Sequence, residues 1–91
     1  MAKAYGFIEI TGVTASINAL DTMCKTADVQ CMAVERKWGG RLVTIVISGE
    51  VAAVNEAIAQ AKATEIKKIV ASGVLPNPHP EIIRLINERN K

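Results

Sequence analysis

The run richest in reactive and charged side chains is Glu35-Arg36-Lys37-Trp38-Gly39-Gly40-Arg41. It brings together three cations and the chain's sole Trp. Clustered cations raise the local concentration of anions. In one isolated copy, the run is an ordinary solvated loop tip. In a ring of identical copies, the tips would line one opening that favours small anions or neutral polar solutes, because rings of charged side chains select by sign. The other reactive residues form no catalytic set. His79, the one histidine, lies between two prolines with no Ser, Cys or paired acid near it in sequence. Such a residue more often packs or hydrogen-bonds at a chain turn than acts as a base. Glu9 and Glu35 each fall on an alternating strand pattern rather than facing each other as an acid/base pair.

Cys24 and Cys31 lack metal-ligand spacing, and no further Cys or His lies close by in sequence. They are expected to be reduced, buried thiols. No glycine-rich phosphate loop precedes a helix. No cofactor and no metal site is therefore expected, and the chain does not read as an enzyme.

The elements that must position the tip are legible from hydrophobic period. Val29–Val34 and Leu42–Ile47 are apolar, β-branched runs on either side of Gly39-Gly40, which reads as two antiparallel strands and a short loop. Tyr5–Thr11 alternates as a first strand, with Gly6, Ile8 and Ile10 toward the core and Tyr5, Phe7, Glu9 and Thr11 opposite. Val13, Ile17, Leu20 and Cys24, with Met23 beside them, recur at helical spacing and are expected to be the buried stripe of a first helix ending near Ala27. Thr11 or Thr14 would cap it. Asp21 and Lys25 are four apart, in the favourable order for a helix ion pair. Ser48 is the expected cap of a second helix, with Val51, Val54, Ala57, Ile58 and Ala61 buried and Lys67 and Lys68 at its negative pole. Ile69–Leu75 is a fourth strand, stopped by Pro76-Asn77-Pro78-His79-Pro80. Glu81–Asn90 reads as a short terminal helix. The expected fold is α+β: a ferredoxin-like β-α-β-β-α-β sheet covered by helices on one face, plus a short C-terminal helix. That topology hosts many functions and decides none.

Composition narrows the classes. The 91 residues suit a single domain spanning 1–91, near the lower limit for one apolar core. An apolar share of 49% excludes disorder and leaves surplus apolar surface, which points to an oligomer. Aromatic residues are 3% and net charge is +2, so neither stacking platforms nor a polyanion-binding charge are at hand, and no nucleic-acid partner is expected. No stretch reaches membrane-spanning length and no signal-peptide pattern opens the chain, so a cytoplasmic protein without a membrane partner is expected.

Four fragments, in order, resemble the hexamer-forming class of bacterial microcompartment shell proteins, which tile the facets of carboxysomes and metabolosomes. They are Ala4–Gly12, Ala19–Val29, Leu42–Val54 and Val74–His79, the last carrying a Pro-x-Pro-His ending. The resemblance implies a cyclic homohexamer that joins other shell proteins edge to edge around encapsulated enzymes in the bacterial cytoplasm. It implies that Lys37, Trp38, Gly39, Gly40 and Arg41 line a central pore for metabolites. It makes Lys25, Asn77 and His79 tile-edge residues. Two departures stand out. The loop looks one residue longer than the usual small-residue loop, so six copies of Trp38 would narrow or close the opening. Asn77 stands where many members carry an Arg that helps lock tile edges. Some relatives hold an iron–sulfur cluster through a loop cysteine; neither Cys24 nor Cys31 lies in the tip, so that property is not carried over. The competing reading is a small-molecule-binding signalling oligomer of PII type, a trimer with the same element order. The short loop between strands two and three argues against it. A small enzyme on the same scaffold lacks a catalytic set.

Overall fold

The first strand, β1 (Ala4–Thr11), runs through the middle of the sheet because it has two strongly β-forming partners and an apolar face to bury. The computed structural model describes residues 3–36, 41–65, 67–76 and 84. In chain order, β1 is followed by α1 (Val13–Thr26), β2 (Val29–Arg36), β3 (Leu42–Gly49), α2 (Val51–Thr64) and β4 (Ile69–Pro76). The four strands form one antiparallel sheet in the order β2-β3-β1-β4. This is the expected α+β arrangement. The expected C-terminal helix falls outside the described residues, apart from Arg84, which has helical backbone.

Register assigns each strand residue to a face. Ile8 opposes Ile45, Gly6 opposes Ile47 and Ile10 opposes Val43. Ile8, Ile10, Val43, Ile45 and Ile47 are all essentially sealed from solvent. Both helices pack on this side, α1 mainly across β2 and β3 and α2 across β1 and β4. From α2, Val54, Ala57, Ile58 and Ala61 complete the core, as the stripe predicts. Close approach is possible because Gly6 has no side chain; a Cβ there would lie 2.6 Å from Val54 Cγ1. Tyr5, Phe7, Glu9 and Thr11 take the opposite face, where the Phe7 ring lies across Gly73.

Four local expectations are corrected. In α1 the buried residues are Ala15, Ser16, Ala19 and Met23. Val13 and Ile17 are instead 38% and 61% exposed, and Cys24 is exposed. The small residues Ala15, Ser16 and Ala19 let α1 settle close to α2 and the sheet, which turns Val13 and Ile17 outward while Leu20 still packs partly against the core. Ser16 is tolerated there because its hydroxyl donates to the Val13 carbonyl at 2.6 Å. Second, neither Thr11 nor Thr14 caps α1; Gly12 holds that position at φ 99°, a conformation that favours glycine. Third, Ser48 does not cap α2. β3 continues through Gly49, Ser48 is buried in the sheet, and Glu50 precedes the helix without a side-chain cap. Val51, expected in the buried stripe, is 36% exposed at the first position of α2.

A bulge in β2 between Cys31 and Ala33 was not signalled by the sequence. The extra residue, Met32, shifts the register and twists the edge strand, which discourages uncontrolled strand pairing.

Candidate functional site

The two described residues of the expected site, Arg41 and Lys25, lie at opposite ends of the strands. At one end, Thr11 opposes Leu42 and Arg36 opposes Val43, so the base of the β2–β3 loop meets the end of β1. Two backbone bonds secure this corner. Gly12 N–H donates to the Arg41 carbonyl at 2.6 Å, and Thr11 N–H donates to the Lys68 carbonyl at 2.9 Å. Arg41 is thus held on one side of β1 and Lys68 on the other. Of the five expected pore residues, Arg41 is described and exposed. Lys37, Trp38, Gly39 and Gly40 lie outside the described residues.

Lys67 and Lys68, expected at the negative pole of α2, belong to this end. They do not close α2, which ends at Thr64; its basic last-turn residue is Lys62. They sit instead in the turn leading to β4, where Lys68 N–H donates to Glu65 O at 2.9 Å. Arg36, Arg41, Lys67 and Lys68 are all exposed, and none forms an ion pair with a described residue. One end of the sheet therefore carries four free cations drawn from β2, the β3 approach and the α2–β4 turn. Their fields overlap, since neighbouring strands are only about 4.8 Å apart and screening in physiological salt takes about 8 Å. What a single signal could have found them? Lys67-Lys68 directly precedes β4, which must run antiparallel to β1 and so begins beside Thr11.

Lys25, the one described residue of the expected edge group, lies at the other end, about 25 Å away along eight-residue strands. Lys25 is in the last turn of α1, and its ammonium pairs with Asp21 at 3.1 Å. Both side chains are largely exposed, so this pair adds little stability. Pro76 pairs with Ala4 at that same end. Asn77 and His79 follow it in the chain, outside the described residues.

The thiols depart from expectation. Cys24 and Cys31 are free and both are exposed. Cys31 Sγ lies 3.9 Å from the Ala33 carbonyl. Partial burial of that sulfur, then the nearby Cys24, push the Cys31 thiol up, with the Ala33 backbone opposing. Since the thiolate is the nucleophile, Cys31 is expected to react with iodoacetamide more slowly at pH 8 than a free cysteine peptide does, and to accelerate further as pH rises. Mass spectrometry of timed quenches checks this; a peptide-like rate at pH 8 contradicts it. Among the described residues, no three His, Cys, Asp or Glu side chains are grouped to hold a metal. No described helix is long and apolar enough to cross a membrane.

The described residues thus place exposed cations at one end of the sheet and Lys25 at the other. Residues 4–78 match the BMC domain family, and the chain belongs to that family. It is similar to the bacterial microcompartment shell protein PduA of Citrobacter freundii, 36% identical over 86 residues spanning 92% of this chain and 91% of that protein. It is 38% identical over 82 residues to the shell protein EutM of Salmonella typhimurium, covering 88% and 84% of the two chains. It is 36% identical over 92 residues to the carboxysome shell protein CsoS1A of Hydrogenovibrio crunogenus, covering 97% and 94%. In three dimensions it resembles the crystal structure of a microcompartment protein from Desulfitobacterium hafniense, with a TM-score of 0.87 and 25% identity over 97% of this chain. The present chain spans about half of that one, 48%. Its role is that of a structural protein of a bacterial microcompartment shell. The trimeric signalling alternative is not favoured.

Proposed function

We propose that the chain, acting as one domain over 1–91, closes into a homohexamer with its β2–β3 tips around a central pore, and that these tiles join other shell proteins edge to edge. The observation that carries this reading is the separation of a basic end from a rim at opposite ends of one sheet. Apolar surface without a described cover supports self-association: Val13 and Ile17 on α1, Val34 on edge strand β2, and Val70 and Leu75 on edge strand β4. Exposed edges and apolar rows of this kind need a partner.

In the ring, Lys37, Trp38, Gly39, Gly40 and Arg41 line the opening, and six indoles narrow it. Arg36, Lys67 and Lys68 extend the positive field outward from Arg41. The pore then passes small anions and neutral polar solutes in preference to cations. The chain performs no catalysis and needs no cofactor; enzymes enclosed by the shell do the chemistry, in the bacterial cytoplasm.

Lys25, with Asn77 and His79, forms the edge. Its exposed ion pair with Asp21 leaves the ammonium free to meet a neighbouring tile. Lys25→Ala is expected to leave the ring intact and to reduce extended layers severalfold in electron micrographs, because the exposed Asp21 pair adds little to the fold and the edge contact is what is lost. Layers of normal extent from the variant would remove Lys25 from the edge.

A further inference from the structure

At the sheet end away from the loop tip, a cavity of about 200 Å³ opens between Lys3, Asp28, Gln30, Ser48, Gly49 and Glu50. Ser48 opposes Tyr5 and Gln30, so its side chain is on the face away from α1 and α2. The residue is 2% exposed, yet its hydroxyl has no hydrogen-bond partner among the described residues. No fully sealed side-chain polar atom among them is unsatisfied, so this hydroxyl keeps its access through the cavity. A serine that lines the cavity, with a hydroxyl that bonds no described residue, offers both a donor and an acceptor to an occupant.

The other groups determine its sign. Glu50 leads into α2, where its carbonyl accepts from Val54 N–H at 2.9 Å while its carboxylate makes no cap bond. Asp28 is drawn against the end of β3 because Gly49 has no side chain; a Cβ there would lie 3.0 Å from the Asp28 carbonyl oxygen. Lys3 makes no ion pair with either carboxylate. It sits exposed before β1, on a long flexible stem, and can swing clear. The lining thus combines Asp28, Glu50, Ser48 and Gln30 with one withdrawable lysine, Lys3, which leaves acceptor groups in excess and the charge net negative.

We propose that this cavity binds a primary ammonium or guanidinium group. Such a group offers several N–H donors around one positive charge, matching acceptors on Asp28, Glu50, Ser48 and Gln30. The cavity is far larger than a single water requires.

The test uses the assembled protein and methylguanidinium chloride as probe, with tetramethylammonium chloride at equal ionic strength as the control that carries charge but no N–H donor. Amide resonances of Gln30, Ser48 and Gly49 are expected to shift and saturate with methylguanidinium alone. Asp28→Asn and Glu50→Gln, both at exposed residues, should each weaken binding about tenfold. Ser48→Ala should weaken it about threefold. Equal response to the two salts, shifts that never saturate, or unchanged affinity in both Asp28→Asn and Glu50→Gln would overturn the assignment. Sedimentation with the probe present then identifies the natural source. Weakened self-association marks a side chain from a second copy, and unchanged self-association marks a free small cation; the chemistry of the site holds in both cases.

Discussion

Ile8→Ala destabilises the folded chain by about 2–5 kcal/mol, the usual cost of truncating a buried isoleucine and leaving a cavity. Ile8 sits at the centre of the central strand, fully buried, opposing Ile45 on one side and Ser72 on the other. Relaxation cannot refill the gap easily, because β3 and β4 flank it and the helices cover it. Native proteins are stable by only about 5–15 kcal/mol, so the loss is a large share of the total. The thermal midpoint is expected to fall by roughly 10–20 °C or more. Ile8→Val is the control and should cost about 0.5–1.5 kcal/mol. Both are read by urea unfolding at one fixed protein concentration, since assembly itself adds stability by mass action. A cost near that of the valine control would mean the central strand is not packed as described.

Reversing charge at the basic sheet end is expected to have the largest functional effect. In the variant Arg41→Glu/Lys67→Glu/Lys68→Glu, the preference of the opening for anions over cations should invert, and anion passage should fall by about tenfold. Fields focused by a narrow opening change encounter rates by this much or more. The three side chains are exposed, so folding is little affected. Their backbone bonds, through the Arg41 and Lys68 carbonyls, do not depend on the side chain. Conductance across a supported protein layer, with anion and cation gradients applied in turn, gives the selectivity directly. An unchanged sign of selectivity in the variant would show that these cations do not face the path. Raising salt should weaken the effect in the unaltered protein, because screening shortens the field.

Much of this architecture is legible in the residues. The strands follow from β-branched alternation, and the face of β1 that holds Ile8 and Ile10 is evident from period alone. The second helix is equally clear, since its large residues, Val54 and Ile58, share a row with Ala57 and Ala61. The first helix is ambiguous because it carries two rows. Hydropathy favours Val13 and Ile17, whereas the fold buries Ala15 and Ala19; Met23 is buried as expected and Leu20 packs partly against the core. Which row faces inward depends on how closely two helices can approach, a tertiary property that no local period contains. The same holds for Lys67 and Lys68. In sequence they resemble helix-end cations; only the pairing of β4 with β1 brings them beside Arg41. The thiols mislead for a related reason. Cys24 lies on the outward row of α1, and Cys31 lies on an edge strand that bulges at Met32.

The family match explains why an outward apolar row is tolerated on so small a chain. In the proposed ring a subunit meets copies of itself, and that contact would cover surface that is a liability in a monomer.

Native mass spectrometry of the purified chain at low micromolar concentration tests the central claim most directly. A dominant species of six copies of the 9.7 kDa chain is the expected result. A single-copy mass at every concentration, or a closed trimer, would contradict it.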